Sequence, residues 1–138
     1  MEEFKNPSNE EIRELLTQST TIAVVGLSPK PSRPSYGVAN YLKNKNYRII
    51  PVNPNYPEVL GEKSYPALSD VPEKIDIVDI FRRPEYVPPV VDEAIKIKAK
   101  VIWMQSGIVN YPAAQKAKDA GLVVVMDRCL AVARSTLM

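Results

Sequence analysis

Histidine is absent from all 138 residues, and cysteine occurs once, as Cys129. Without an imidazole the chain lacks the commonest general base near neutral pH and the commonest zinc ligand, and it cannot form a phospho-histidine. A Ser-His-Asp or Cys-His mechanism is therefore closed to it when it acts alone. A single thiol excludes an internal disulfide and a cysteine-rich metal site. Apolar runs are short, and none approaches the ~20 residues of a membrane span. Charge is nearly balanced at +2, so no general case exists for binding nucleic acid or a membrane surface. The opening MEEFKNPSNEE is acidic and polar, unlike a secretory leader. With the lone cysteine, this gives the expectation of a cytoplasmic protein.

What is present reads as one domain over residues 1–138, with 45% hydrophobic and 25% charged residues, as in ordinary globular proteins. Five β-branched apolar runs are too short for helices: TIAVVG at 21–26, YRIIPV at 47–52, IDIVDI at 75–80, KVIWM at 100–104 and LVVVM at 122–126. They lack strict alternation, as strands buried on both faces do, and so predict a parallel sheet. Helical patterns lie between them. Ser8 and Glu11 form a capping box ahead of Ile12, Leu15 and Leu16, predicting a short N-terminal helix. Ser35 is expected to cap YGVANYLKNKN. Pro88 and Pro89 fit the first turn of a helix through Val90, Val91, Ala94 and Ile95. Asn110 is expected to cap YPAAQKAKDAG, ending at Gly121, and DRCLAVARSTLM reads as a short closing helix. This alternation predicts an α/β fold: a Rossmann-like, doubly wound sheet of about five parallel strands. The stretch 53–74, rich in proline, is the one long irregular segment and a natural place for function.

In such sheets ligands bind beyond the carboxyl ends of the strands. Here those ends read Gly26-Leu27-Ser28, Val52-Asn53-Pro54, Phe81-Arg82-Arg83, Gln105-Ser106-Gly107 and Asp127-Arg128-Cys129. The dinucleotide fingerprint G-x-G-x-x-G fails, because the next glycine after Gly26 is Gly37. An NAD site also needs an acid at the end of the second strand for the ribose hydroxyls. From Gly26 to Pro57 there is no Asp or Glu, whereas Lys30, Arg33, Lys43, Lys45 and Arg48 all fall there. Such a field favours a phosphate-rich ligand. Coenzyme A, with a 3′-phosphate beside a pyrophosphate, fits that description.

The segments VVGLSPKPSRPSYGVANYL, IIPVNPNY, VDIFRRPEYVPPVVDEAI, VIWMQSGI and VVMDRC, in that order, resemble the small stand-alone CoA-binding proteins. These are wider relatives of the CoA-binding domain of the succinyl-CoA synthetase α subunit. The resemblance covers residues 20 to 129 and implies a Rossmann-like fold with coenzyme A in the crevice above the sheet. Carried over residue by residue, it implies Gly26 and Ser28 at a phosphate-binding loop completed by Lys30, Ser35, Tyr36 and Gly37; the absence of a nearby acid separately makes Arg33, like Lys30, a candidate phosphate cation. Asn53 and Pro54 would flank the adenosine. Phe81, Arg82 and Arg83, with Val87 behind them, would touch adenine and phosphates. Gln105, Ser106 and Gly107 would wall the pantetheine arm. Where many relatives carry Glu-His after the MDRC motif, this chain reads Ala131-Val132-Ala133-Arg134, so any role of that pair is lost here.

Each residue also has a plainer reading. Gly26 could serve only a tight turn, and Lys30 and Arg33 could be solvated. Trp103 is expected in the core. Asp76 and Asp79 read as strand-end or solvated acids, and no residue is named as catalytic. Cys129 is either a half-buried small residue or a thiol that coenzyme A could cap. The expected function is a non-catalytic CoA-binding carrier, sensor or partner module. The alternatives are an NAD(P)- or flavin-binding oxidoreductase and an acyl-CoA-handling subunit completed by a protein partner.

Overall fold

The computed structural model describes residues 4–138; Met1, Glu2 and Glu3, part of the segment read for a leader, lie outside the described residues. The chain begins with helix α1, Asn9–Gln18, capped as expected: Ser8 Oγ accepts from the Glu11 N–H at 3.2 Å and donates to the Glu11 carboxylate at 3.1 Å. Strand β1, Thr21–Val25, leads into helix α2, Pro34–Asn44, and strand β2, Arg48–Val52. A short hairpin follows, β3 at Glu58–Val59 and β4 at Glu62–Lys63. Strand β5, Ile77–Ile80, precedes helix α3, Val87–Lys96, and β6, Val101–Met104, precedes helix α4, Tyr111–Asp119. Strand β7, Val123–Val125, and helix α5, Leu130–Leu137, close the domain.

The five long strands form one parallel sheet in the order β2-β1-β5-β6-β7. Each buries both faces, which is why their sequences run continuously apolar rather than alternating. On one face Ile22, Val24, Ile77, Val101 and Trp103 pack under α1, α2 and α5, through Ile12, Leu16, Ala39, Leu42, Leu130 and Ala133. On the other, Ala23, Val25, Val78, Ile80, Ile102 and Met104 pack under α3 and α4. Trp103 is fully buried, as expected, and its indole N–H donates to the Arg128 carbonyl at 2.7 Å. The chain leaves β1 toward β2 on one side and returns to β5 on the other. The exits of β1 and β5 are thus the point where the winding reverses and the connections part to leave a crevice.

Local details depart from the sequence reading in three places. Segment 53–74 is not wholly irregular. Leu60 and Gly61, at φ 56° and 74°, make a two-residue left-handed turn between β3 and β4, and Lys43 Nζ donates to the Leu60 carbonyl at 2.6 Å. Leucine rarely adopts that conformation, so the hairpin carried no asparagine-glycine signal. Ser35 does not cap α2: the helix starts two residues earlier than expected, at Pro34, and the capping position is Arg33, whose side chain makes no cap bond. Asp79 is neither solvated nor at a strand end but sits inside β5 with no exposure. The N-terminal arm is tied down by Asn6, which exchanges two hydrogen bonds with the Met126 backbone at 2.8 and 2.9 Å.

Candidate functional site

Two clefts open at the winding-reversal point, one on each face of the sheet. The first, about 350 Å3, lies on the α2 side and is lined by Gly26, Ser28, Lys30, Arg33, Pro34, Ser35, Asn53, Asn55, Tyr56 and Phe81. Its floor exists because Gly26 has no side chain. Gly26 turns with φ 89°, and a Cβ there would collide with the Phe81 carbonyl. The fold therefore needs this glycine, whatever lies above.

The loop from Leu27 to Arg33 is locked by its own side chains. The Ser28 N–H donates to Ser35 Oγ at 3.0 Å, and the Lys30 N–H donates to Ser28 Oγ at 3.1 Å. The Arg33 N–H donates to the Lys30 carbonyl at 3.0 Å. Pro29, Pro31 and Pro34 have no N–H to offer. A glycine-rich phosphate loop holds anions with free backbone donors. This loop has spent much of that capacity on itself, and the cations it presents to the cleft are the Lys30 and Arg33 side chains. Neither makes an ion pair among the described residues. Asn53, at the exit of β2, braces the cleft: its Nδ2 donates to the Leu27 carbonyl at 3.0 Å and its Oδ1 accepts from the Asn55 N–H at 3.0 Å. No carboxylate lines this cleft.

The second cleft, about 260 Å3, lies on the α3 side between that helix and the 66–68 segment. Val25, Val52, Pro66, Ala67, Leu68, Pro89 and Val90 make its walls, with Arg82, Tyr86 and Glu93 as polar groups. The alternation of β5 explains the split. Phe81 points to the α2 side and Arg82 to the α3 side, so consecutive residues serve opposite clefts.

The remaining expected residues are dispersed. Tyr36 is half-buried and Gly37 exposed on α2, with open space where a Cβ would stand. Pro54 lines a shallow depression with Asn55, Tyr56, Pro57, Ser64 and Pro66, next to the first cleft. Arg83 is exposed ahead of a short 3-10 turn at Pro84–Tyr86, whereas Val87 is fully buried in the core and lines neither cleft. Gln105 is buried, and its Oε1 accepts from the Leu130 N–H at 3.0 Å, so it caps α5. Ser106 is exposed, and the Gly107 N–H donates to Asp127 at 2.7 Å, joining the β6 and β7 exits. Cys129 is half-buried at the head of α5, and the neighbouring Arg128 guanidinium is turned to Asn9 at 2.9 Å. Sequence reasoning did not single out Asn55, Tyr56, Tyr86 or Glu93 for the clefts. The first two stand in the segment marked as irregular; the last two sit on the α3 approach, and helical spacing of Tyr86, Pro89, Val90 and Glu93 was the available signal.

Two buried acids differ in fate. Burial works to raise the Asp76 carboxyl, but the Thr20 and Thr21 N–H groups, the Thr20 hydroxyl and Lys100 outweigh it and hold the group below the usual range. Asp79, flanked in register by Val24 and Trp103, has no partner for either oxygen, and burial pushes it well above the ordinary carboxylate range. No group of acids, histidines or cysteines among the described residues could hold a metal ion, and no described helix is long and apolar enough to cross a membrane.

The model of the CoA binding domain family matches residues 20–135. A protein of Bacillus subtilis, the uncharacterized YneT, is 45% identical over 132 residues, covering 96% of this chain and 98% of that one. The structure of a hypothetical protein from Pyrococcus horikoshii superposes with a TM-score of 0.93 at 44% identity, covering 99% of each chain. An ADP-forming acetate–CoA ligase of Methanocaldococcus jannaschii is 30% identical over 120 residues; the match takes in 81% of this chain but 17% of that enzyme.

Proposed function

Because this chain belongs to the CoA binding domain family, we propose that it binds coenzyme A or an acyl-CoA across the two clefts, as a non-catalytic carrier, sensor or partner module. The observation that carries the reading is the division of character between the clefts. One holds two cations that make no ion pair among the described residues and is lined by no acid; the other has mainly aliphatic walls, with Arg82, Tyr86 and Glu93 among them. Coenzyme A divides the same way, with its pyrophosphate on the 5′ side of the ribose and its purine on the other, the 3′-phosphate standing on the ribose between them.

In this arrangement Lys30 and Arg33 hold the pyrophosphate over the loop and the start of α2. The ribose crosses the crest formed by Gly26, Asn53 and Phe81. The adenine enters the α3-side cleft, with Arg82 placed for the 3′-phosphate. The pantetheine arm runs along the β6 exit past Ser106 and Gly107. Asn53 stands where an NAD site has its acid and spends both ends of its amide on the protein, so it does not offer a ribose diol the usual pair of acceptors.

A thermal-shift and calorimetric comparison of CoA, dephospho-CoA, NAD, NADP and FMN tests this. A ligand at 100 times its dissociation constant adds about 2.7 kcal/mol of stability, which a melting curve resolves. CoA is expected to stabilise most. Stabilisation by NAD or FMN with none by CoA would replace this reading with an oxidoreductase.

A second reading has one observation in its favour: this chain matches a segment amounting to 17% of a CoA ligase. On that reading the domain serves an acyl-CoA enzyme whose catalytic groups belong to a separate partner chain. Affinity purification that recovers a stoichiometric second subunit would favour it over a module acting alone.

A further inference from the structure

The α3-side cleft contains a carboxylate that CoA binding as such does not require. Helix α3 runs back down the sheet from the strand exits, and Tyr86, Pro89, Val90 and Glu93 occupy its cleft-facing side. At 1.5 Å per residue, the seven steps from Tyr86 to Glu93 place Glu93 roughly 10 Å below the mouth. The mouth therefore has an exposed tyrosine and Arg82, the walls are aliphatic, and the far end has an acid. Glu93 is held in place: its Oε1 accepts from the Ser69 N–H at 3.1 Å. No ion pair engages it among the described residues, so its second oxygen remains available as an acceptor.

Resting on the proposed coenzyme A reading, we propose that Glu93 is a specificity-determining residue: its free carboxylate oxygen accepts from the exocyclic amine of the ligand's adenine. Three features support this. A fixed anion at the end of an apolar slot repels a phosphate and also the carbonyl edge of a purine, but it accepts from an amino group. The slot has aliphatic walls, suited to a flat uncharged ring with Tyr86 beside its outer part. Finally, an acceptor left facing a carbonyl loses its bond and keeps the repulsion, a penalty that an apolar wall does not impose.

The test compares coenzyme A with its hypoxanthine analogue, in which a carbonyl oxygen replaces the 6-amino group, by titration calorimetry on the full chain. The wild type is expected to favour the adenine form by roughly ten- to hundredfold, the range for a hydrogen bond to a charged group. In Glu93→Gln the amide oxygen keeps the Ser69 bond and the amide NH2, a donor, faces the ring, so the preference should vanish or reverse toward the hypoxanthine form. Glu93→Ala, with melting checked beside the wild type, should erase it as well. Equal wild-type affinities for the two bases, or a preference that survives both substitutions, would overturn the assignment while leaving coenzyme A binding intact. Failure of the wild type to bind coenzyme A at all would overturn the underlying reading and this one with it.

Discussion

The carbonyl of Phe81 occupies the place where a side chain at Gly26 would begin. The contact joins the exits of β1 and β5, the two strands between which the winding reverses, and it brings them close enough to make one crest between two clefts. It is a backbone contact, so no rotamer change can relieve it. The left-handed φ of 89° at Gly26 adds a second objection to any substitution.

Gly26→Ala is accordingly expected to destabilise the ligand-free protein by about 2–4 kcal/mol, at the upper end of single-substitution effects. Urea unfolding without ligand measures it. Unchanged stability with lost CoA affinity would mean that the glycine serves the ligand rather than the fold.

Arg33, at the head of α2, and Arg82, at the β5 exit, face different clefts, the first the cationic one and the second the α3-side one. Their charge reversals should separate. Arg33→Glu is expected to weaken CoA and dephospho-CoA alike, by roughly ten- to hundredfold, because both ligands carry the pyrophosphate. Arg82→Glu should weaken CoA more than dephospho-CoA, the difference being the 3′-phosphate. Equal losses for both ligands in Arg82→Glu would move that phosphate to another cation.

The sequence made the sheet legible because burial on both faces leaves an unmistakable mark: five apolar β-branched runs separated by helical spacing. Ser8 and Asn110 revealed their helices because a cap is a local event between residues three apart. What stayed hidden depends on contacts far apart in the chain. Nothing near Ser35 says that its hydroxyl is claimed by the Ser28 N–H rather than by a helix terminus. Nothing near Gln105 says that it caps α5, 25 residues on. The cationic first turn was legible as charge, whereas the second cleft was not, since Val52, Leu68, Tyr86 and Glu93 meet only when α3 docks. Asp79 looked like a strand-end acid because alternation cannot say which faces of a central strand are covered.

That acid and its neighbour three residues earlier impose opposite pH dependences. Asp79 is raised in the folded state, so folding retains a proton that the unfolded chain releases near pH 4. Stability therefore falls as pH rises from about 4 toward the folded value, and Asp79→Asn should flatten this slope. Asp79→Val, which removes the unpartnered group from between Val24 and Trp103, should raise stability at pH 7 by about 1–3 kcal/mol. Asp76 is lowered, so its contribution is present above about pH 4 and lost as pH falls through its folded value. Asp76→Asn should cost about 1–3 kcal/mol at pH 7 and little at pH 2. Melting curves from pH 2 to 9 on the three variants check both signs. An Asp79→Asn curve parallel to the wild type would mean that the carboxyl is ionised in the fold.

Asn53 offers the sharpest test of the proposed preference of this cleft for a phosphate-rich ligand. Its Nδ2 bond to the Leu27 carbonyl fastens the 27–33 loop to the end of β2, and its neutrality adds no negative charge to the cleft. Asn53→Asp attacks both at once: the donor becomes an acceptor facing a carbonyl, and an anion enters beside Lys30 and Arg33. CoA affinity should fall by roughly a hundredfold, from one hydrogen bond reversed and one repulsion added. The two causes separate by salt. Repulsion between an exposed carboxylate and the phosphates is screened at high ionic strength, whereas a loop that has lost its tether stays loose. Asn53→Ala, which loosens the loop without adding charge, should show the unscreened part alone. If Asn53→Asp and Asn53→Ala lose the same affinity at every salt concentration, charge at the β2 exit is not what selects the ligand, and loop rigidity is. If the aspartate variant instead gains affinity for NAD while losing CoA, one carboxylate at this position decides between the two ligand classes.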